Sequence, residues 1–201
     1  MMTSKKRGRK PLDSEAISKG REMLVAEARA RFTEFGVQNV SIRKITDGVG
    51  MSPMSFYRYF PNKRAVLVHI WNDIFLDLAT DCRAATANQS TPRDALLAYC
   101  DRYVDYWLRN PDYYLMVYCE VDRPEHNESY FAQSELVQAE LNQLRGYLSA
   151  LQLDPKEVEF TLQHIICSLI GICHSHITIP ELGWQSAATM VHKIIFAILP
   201  N

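Results

Sequence analysis

The chain has few of the residues that build scaffolds other than a packed core: five cysteines, eight glycines and nine prolines in 201 residues. Cys82, Cys100, Cys119, Cys167 and Cys173 are an odd number without CxxC spacing, which argues against a disulfide framework or zinc ribbon and suits reduced, mostly buried thiols. Sparse Gly and Pro, with no internal repeat, exclude collagen-like and low-complexity chains. No apolar run approaches the ~20 residues that span a bilayer, because His, Ser and Gly interrupt the longest ones, so no membrane association is expected. Residues 1–12 (MMTSKKRGRKPL) never reach an apolar h-region, so no secretory signal is read and a cytoplasmic location is expected.

Enzyme signatures are missing too. There is no Walker loop, dinucleotide fingerprint or HExxH, so neither catalysis nor a cofactor is expected. Ser41-Ile-Arg-Lys44 fits the S-x-x-K pattern, but a helix cap explains it and the companion motifs are absent. His174 and His176 flank Ser175 next to Cys173, yet i, i+2 spacing on a helix points them to different faces, so no metal site is expected. The sequons at Asn39, Asn88 and Asn127 carry no meaning in a cytoplasmic protein.

What is present is an ordinary globular balance, 47% hydrophobic and 22% charged, with an uneven distribution of charge. Residues 1–70 hold 14 basic and 6 acidic side chains, whereas residues 71–201 hold 8 basic and 17 acidic, so a net charge of −1 hides a basic third joined to an acidic remainder. That asymmetry suits a nucleic-acid-binding module fused to a domain of another kind.

Apolar residues recur at helical spacing almost throughout, and no stretch alternates with period two for long, which predicts an all-α protein. A first helix is expected over 14–35, with Leu24, Ala28, Phe32 and Phe35 on one stripe and Gly36 as its stop. Ser41 and Ser52 are natural N-caps, Pro53 fits the first helical position after Ser52, and Asn62 precedes a long helix over about 63–87. Further helices are expected near 92–109, 111–121, 129–151, 155–177 and 184–199.

Residues 41–60 thus form two short helices joined by Gly50, Met51 and Ser52, the spacing of a helix-turn-helix whose second helix enters the DNA major groove. The string Phe32-x3-Gly36-x4-Ser41-x3-Ile45-x4-Gly50-x-Ser52-x2-Ser55-x-Tyr57-x-Tyr59-Phe60-x2-Lys63 closely resembles the DNA-binding domain of the tetracycline-repressor (TetR) family over the first third of the chain. Two positions depart from it: Thr46 stands where the family usually has Ala, and Met54, on the reading helix, where a small residue is common.

The resemblance implies an amino-terminal three-helix helix-turn-helix domain plus a larger helical ligand-binding and dimerisation domain. The expected organisation is a basic arm (1–13), the DNA-binding domain (14–62), a connecting helix (63–88) and an effector-binding and dimerisation domain (89–201). Carried over by position, Ser41, Arg43, Tyr59 and Lys63 would touch phosphates, while Ser52, Pro53, Met54, Ser55 and Tyr57 would lie at the reading helix, facing base edges or thymine methyls. Lys5, Lys6, Arg7, Arg9 and Lys10 surround an Arg-Gly-Arg that resembles arms lying in A·T-rich minor grooves. Each phosphate they meet would steepen the salt dependence by roughly 0.9.

The implied partners are a double-stranded DNA operator, a second copy of the chain and an unidentified small-molecule effector. The last two long helices are apolar on more than one face, and Leu162, Ile166, Leu169, Ile170, Cys173, Val191, Ile194, Ile195 and Ile198 are the expected dimerisation residues. Aromatic density peaks between Tyr99 and Tyr118, and Tyr103, Trp107, Tyr114, Tyr118, His164 and His174 are the expected effector contacts. The function implied is a sequence-specific transcriptional regulator, a repressor released by its effector. A thiol- or metal-responsive regulator of the same fold, and an enzyme, are the alternatives.

Overall fold

The computed structural model describes residues 14–119 and 130–199, and every regular element among them is helical. The chain divides into two compact units, with the boundary between Ile70 and Trp71.

The first unit contains α1 (Ser14–Phe35), a 3-10 turn (Val37–Asn39), α2 (Ile42–Gly48), α3 (Pro53–Phe56) and the first two turns of α4 (Lys63–Thr86). Helix α1 packs on α2, and α2 on α3. Leu24, Ala28, Phe32, Val37, Val40, Ile45, Phe56, Phe60, Val66, Leu67 and Ile70 are its core. Phe35, expected on the inner stripe, is 42% exposed. It keeps the phase of the buried stripe but is the last residue of α1, where the chain turns away at Gly36, and the Lys44 ammonium sits 5.9 Å from its ring centre.

The second unit begins at Trp71 and adds α5 (Pro92–Arg109), α6 (Pro111–Tyr114) running into a π-helical turn (Leu115–Cys119), α7 (Tyr130–Gln133), α8 (Glu135–Ala150), α9 (Pro155–Thr178) and α10 (Ala187–Ile198). Helices α5, α8 and α9 pack mutually, and α10 lies on α5 and α9. The helix starts follow capping chemistry: the side chains of Thr91, Asp154 and Ser186 accept backbone N–H groups of Asp94, Lys156 with Glu157, and Thr189. The single helix expected over 129–151 is instead interrupted at Ser134, whose hydroxyl caps α8. The last helix starts at Ala187, not at Trp184, because Ser186 supplies the cap and Trp184 turns its indole N–H to the Ile179 carbonyl at 2.8 Å.

Helix α9 corrects one reading of the sequence. By length and composition it is apolar enough to cross a membrane. Here it is the helix on which α5, α8 and α10 pack.

Candidate nucleic-acid interface and internal cavity

Local chemistry shapes the helix-turn-helix. Ser41 Oγ accepts the Lys44 N–H at 3.2 Å and starts α2. Gly50 has φ +68°, a backbone state that an L side chain resists, and the Met51 N–H returns to the Thr46 carbonyl at 2.8 Å to close the turn. Ser52 Oγ then accepts the Ser55 N–H at 3.2 Å, with Pro53 at the first helical position. Thr46 is fully buried, and its hydroxyl donates to the Arg43 carbonyl at 3.0 Å, so the Ala-to-Thr departure leaves no polar atom unsatisfied.

Helix α3 is a single turn. Tightening continues through Arg58 N–H to Ser55 and Tyr59 N–H to Phe56, which separates the aromatic run into two kinds of residue. Phe56 and Phe60 are core, whereas Tyr57 is 55% exposed and Met54 78% exposed. Ser41, Arg43, Ser52 and Pro53 are exposed, and Ser55 and Tyr59 are half-buried. Among the described residues Arg43 pairs with Asp47, at 3.6 Å and largely in solvent. Tyr59 lies across α1 so closely that a Cβ on Gly20 would sit 2.5 Å from its hydroxyl oxygen.

Lys63 has a structural task that the sequence did not reveal. Its ammonium donates to the carbonyls of Val37 at 2.7 Å and Val40 at 3.1 Å, tying α4 to the turn before α2. Two of its three N–H groups are therefore committed within the domain. Lys5, Lys6, Arg7, Arg9 and Lys10 lie outside the described residues.

The second unit contains a partly open cavity of about 370 Å³. Phe75 and Leu78 of α4, Tyr99 and Tyr103 of α5, Tyr118 of the π-helical turn, Phe131 of α7, Val137, Glu140, Leu141 and Leu144 of α8, and Ile166, Leu169 and Ile170 of α9 form its wall. The Tyr103 and Tyr118 hydroxyls are 2.9 Å apart and hydrogen-bonded to each other. Burial raises Tyr103 well above the usual phenol value and pushes Tyr118 up to about 12, so both stay protonated. The Tyr99 hydroxyl donates to Glu140 Oε2 at 3.1 Å, and Arg83 approaches Oε1 at 3.6 Å. Desolvation nevertheless raises the Glu140 carboxyl above its ordinary value.

Of the expected effector contacts, only Tyr103 and Tyr118 reach the wall. Trp107 lies behind it, fully buried, with its ring centre 6.2 Å from Tyr103 and 5.5 Å from Tyr118. Tyr114 is also buried and donates to the Ile170 carbonyl at 3.2 Å. His164 and His174 are exposed on α9, away from the cavity, because their positions fall on the solvent side of that helix. The sequence reading missed Glu140, although Val137, Leu141, Leu144 and Leu148 set an inward stripe that includes it.

The residues expected at a subunit interface divide similarly. Leu162, Leu169, Cys173, Val191 and Ile195 are buried within the chain's own unit, Ile166 and Ile170 line the cavity, and Ile194 and Ile198 are half-buried. The outward face of α9 instead carries Phe160, His164, Cys167, Gly171 and His174, at successive steps of three and four, and α10 exposes Phe196. Among the described residues, no three His, Cys, Asp or Glu side chains gather as metal ligands. Cys82 and Cys100 are buried, and desolvation raises both thiols far above their ordinary value, which disfavours the reactive thiolate.

Residues 24–70 match the family model described as bacterial regulatory proteins, tetR family. No curated protein matches the chain. Among solved structures, the chain is similar to the transcriptional regulator FadR from Bacillus subtilis, determined in complex with stearoyl-CoA (TM-score 0.71, 15% identity, 88% of this chain and 96% of that one). It is also similar to the fatty acid degradation regulator FadR from Bacillus halodurans (TM-score 0.69, 14% identity, 94% and 97%). A TetR/AcrR-family regulator from Thermobifida fusca YX-ER1 shows the same fold (TM-score 0.61, 20% identity, 90% and 96%). The amino-terminal helix-turn-helix, residues 24–70, thus matches the model of the tetR family of bacterial regulatory proteins, and the chain as a whole has the fold of these solved regulators.

Proposed function

We propose that this chain is a sequence-specific DNA-binding repressor that acts as a homodimer and is released from a pseudo-palindromic operator by a small-molecule effector. The observation that carries the reading is the sorting of aromatic residues in the helix-turn-helix: Phe56 and Phe60 hold the core, while Met54 and Tyr57 stand in solvent on the reading helix. An apolar side chain as exposed as Met54 adds nothing to the domain's stability, and it suits contact with thymine methyls.

A lone helix-turn-helix binds weakly, and a two-fold dimer spans two half-sites. The outward face of α9, with Phe160, Cys167 and Gly171, and Phe196 of α10 are the surfaces assigned to the partner copy. The cavity is the effector site. Helix α4 contributes Val66, Leu67 and Ile70 to the DNA-binding core and, further along, Phe75 and Leu78 to the cavity wall. An effector that favours one position of this helix changes operator affinity by its differential affinity for the two states, and by no more.

The test is fluorescence anisotropy of the full chain on duplexes from the flanks of its own gene and on scrambled duplexes, at two salt concentrations. The reading requires saturable binding to one flank, or to a duplex selected from random sequence, at two or four chains per duplex. Met54→Ala and Tyr57→Ala should each weaken that binding by about tenfold, within the roughly 1–3 kcal/mol of one base contact. Unfolding should not change beyond about 0.5 kcal/mol. Failure to select any duplex overturns the proposal.

A further inference from the structure

We propose that the cavity takes an uncharged, largely apolar molecule of on the order of a dozen non-hydrogen atoms with one hydrogen-bond-accepting oxygen, which docks on the Tyr103–Tyr118 hydroxyl pair. This rests on the reading of the cavity as an effector site and specifies its ligand.

The first argument is a count of protons. Two phenol hydroxyls bonded to each other have two protons and use one in their mutual bond, which leaves one O–H without an acceptor among the described residues. Behind them the buried indole N–H of Trp107 points at the Tyr103 hydroxyl oxygen, which occupies an acceptor site of the pair without removing the spare O–H. The polar end of the cavity thus holds one surplus O–H donor. Burial keeps both phenols protonated, so this donor character persists at physiological pH. A ketone, ester, ether or alcohol oxygen supplies the missing acceptor.

The second argument is charge. Among the described residues no Lys, Arg or His lines the cavity, and the one carboxylate among them, Glu140, is already answered by the Tyr99 hydroxyl and Arg83. A carboxylate ligand would be desolvated beside a like charge, and phosphates would find no cation within the wall. A cationic ligand would have to displace Arg83 from Glu140. The remaining wall, from Phe75 and Leu78 to Leu144 and Leu169, is hydrocarbon or aromatic.

The third is size. At about 370 Å³ and roughly 30 Å³ per water-sized group, the space holds about a dozen such groups, which sets the ligand length.

Displacement of the neutral fluorophore 1-aminonaphthalene, small enough for the cavity, from the full-length protein tests this with probes of matched chain length: undecan-2-one, undecane, decanoate, decanoyl-CoA and decyltrimethylammonium. Undecan-2-one is expected to bind three- to tenfold more tightly than undecane, as one net hydrogen bond allows. The charged probes are expected to bind at least tenfold more weakly than the ketone. The double substitution Tyr103→Phe with Tyr118→Phe should bring the ketone down to the alkane and leave undecane binding unchanged, which also shows that the variant is folded. The proposal is overturned if any charged probe matches the ketone, if the alkane matches it, or if the variant keeps the ketone preference. Operator affinity measured with the same probes separates the two readings. If the ketone binds but operator affinity does not change, the effector-site reading fails and the ligand chemistry stands; if decanoate releases DNA and the ketone does not, the ligand chemistry fails and regulation stands.

Discussion

A methyl group added to helix α1 tests how the DNA-binding domain positions Tyr59. In an open helix, Gly→Ala is stabilising by about 0.8–1.0 kcal/mol, because Gly has more backbone freedom to lose. At Gly20 the new Cβ would lie 2.5, 2.8 and 2.9 Å from Oη, Cζ and Cε1 of Tyr59. These atoms belong to a rigid ring, so the ring as a whole must leave its seat. Overpacking of this kind costs about 1–3 kcal/mol, which cancels or outweighs the propensity gain. Gly20→Ala should therefore be neutral or destabilising by up to about 2 kcal/mol, a fall of at most several degrees at the roughly 2–4 °C per kcal/mol usual for a chain of this length. With Tyr59→Ala already in place the clash is gone, and the same substitution should stabilise by about 1 kcal/mol. The double-mutant cycle, read by urea unfolding, should give a coupling of about 1–3 kcal/mol. Because Tyr59 is a proposed phosphate contact, Gly20→Ala should also weaken DNA binding while Tyr59→Ala abolishes that sensitivity. Equal stabilisation by Gly20→Ala in both backgrounds refutes the seating of Tyr59 on Gly20.

Three further outcomes follow from the same geometry. Lys63→Met removes the charged hydrogen bonds to Val37 and Val40 and should destabilise the chain by roughly 1.5–3 kcal/mol; a loss of DNA affinity with unchanged urea unfolding would show that the ammonium serves phosphate alone. Glu140 has a raised folded-state pKa, so the folded chain binds its proton more tightly than the unfolded one, and its contribution to stability falls as pH rises from the ordinary carboxyl value of 4.5 through the raised one. Glu140→Gln should flatten that slope in thermal unfolding measured across the acidic range, and an unchanged slope rules out this carboxyl as its source. Among the cysteines, Cys167 is exposed on the single chain but lies on the face assigned to the partner copy, so a thiol reagent should modify it faster as the protein is diluted toward monomer, while Cys82 and Cys100 react only on unfolding; rapid modification of Cys100, followed by mass spectrometry, would contradict their burial.

The sequence by itself determined the class of fold, most helix starts and the frame of the DNA-binding domain, because these depend on interactions within a few residues. Ser41, Ser52, Thr91 and Asp154 announce helices through their own side chains, and Gly50 marks a turn through its backbone freedom. The tertiary structure decided which face of each helix is used. Periodicity identified α9 and α10 as apolar on more than one face, but only packing showed that Leu162, Leu169 and Val191 face their own core while Phe160 and Phe196 face outward. It likewise committed Lys63 to two carbonyls more than twenty residues earlier. The cavity was hidden for the same reason. Aromatic density pointed to Tyr103 and Tyr118, but its other walls come from α4, α7, α8 and α9, and a contact between residues far apart in the chain leaves no trace in the spacing along any one helix.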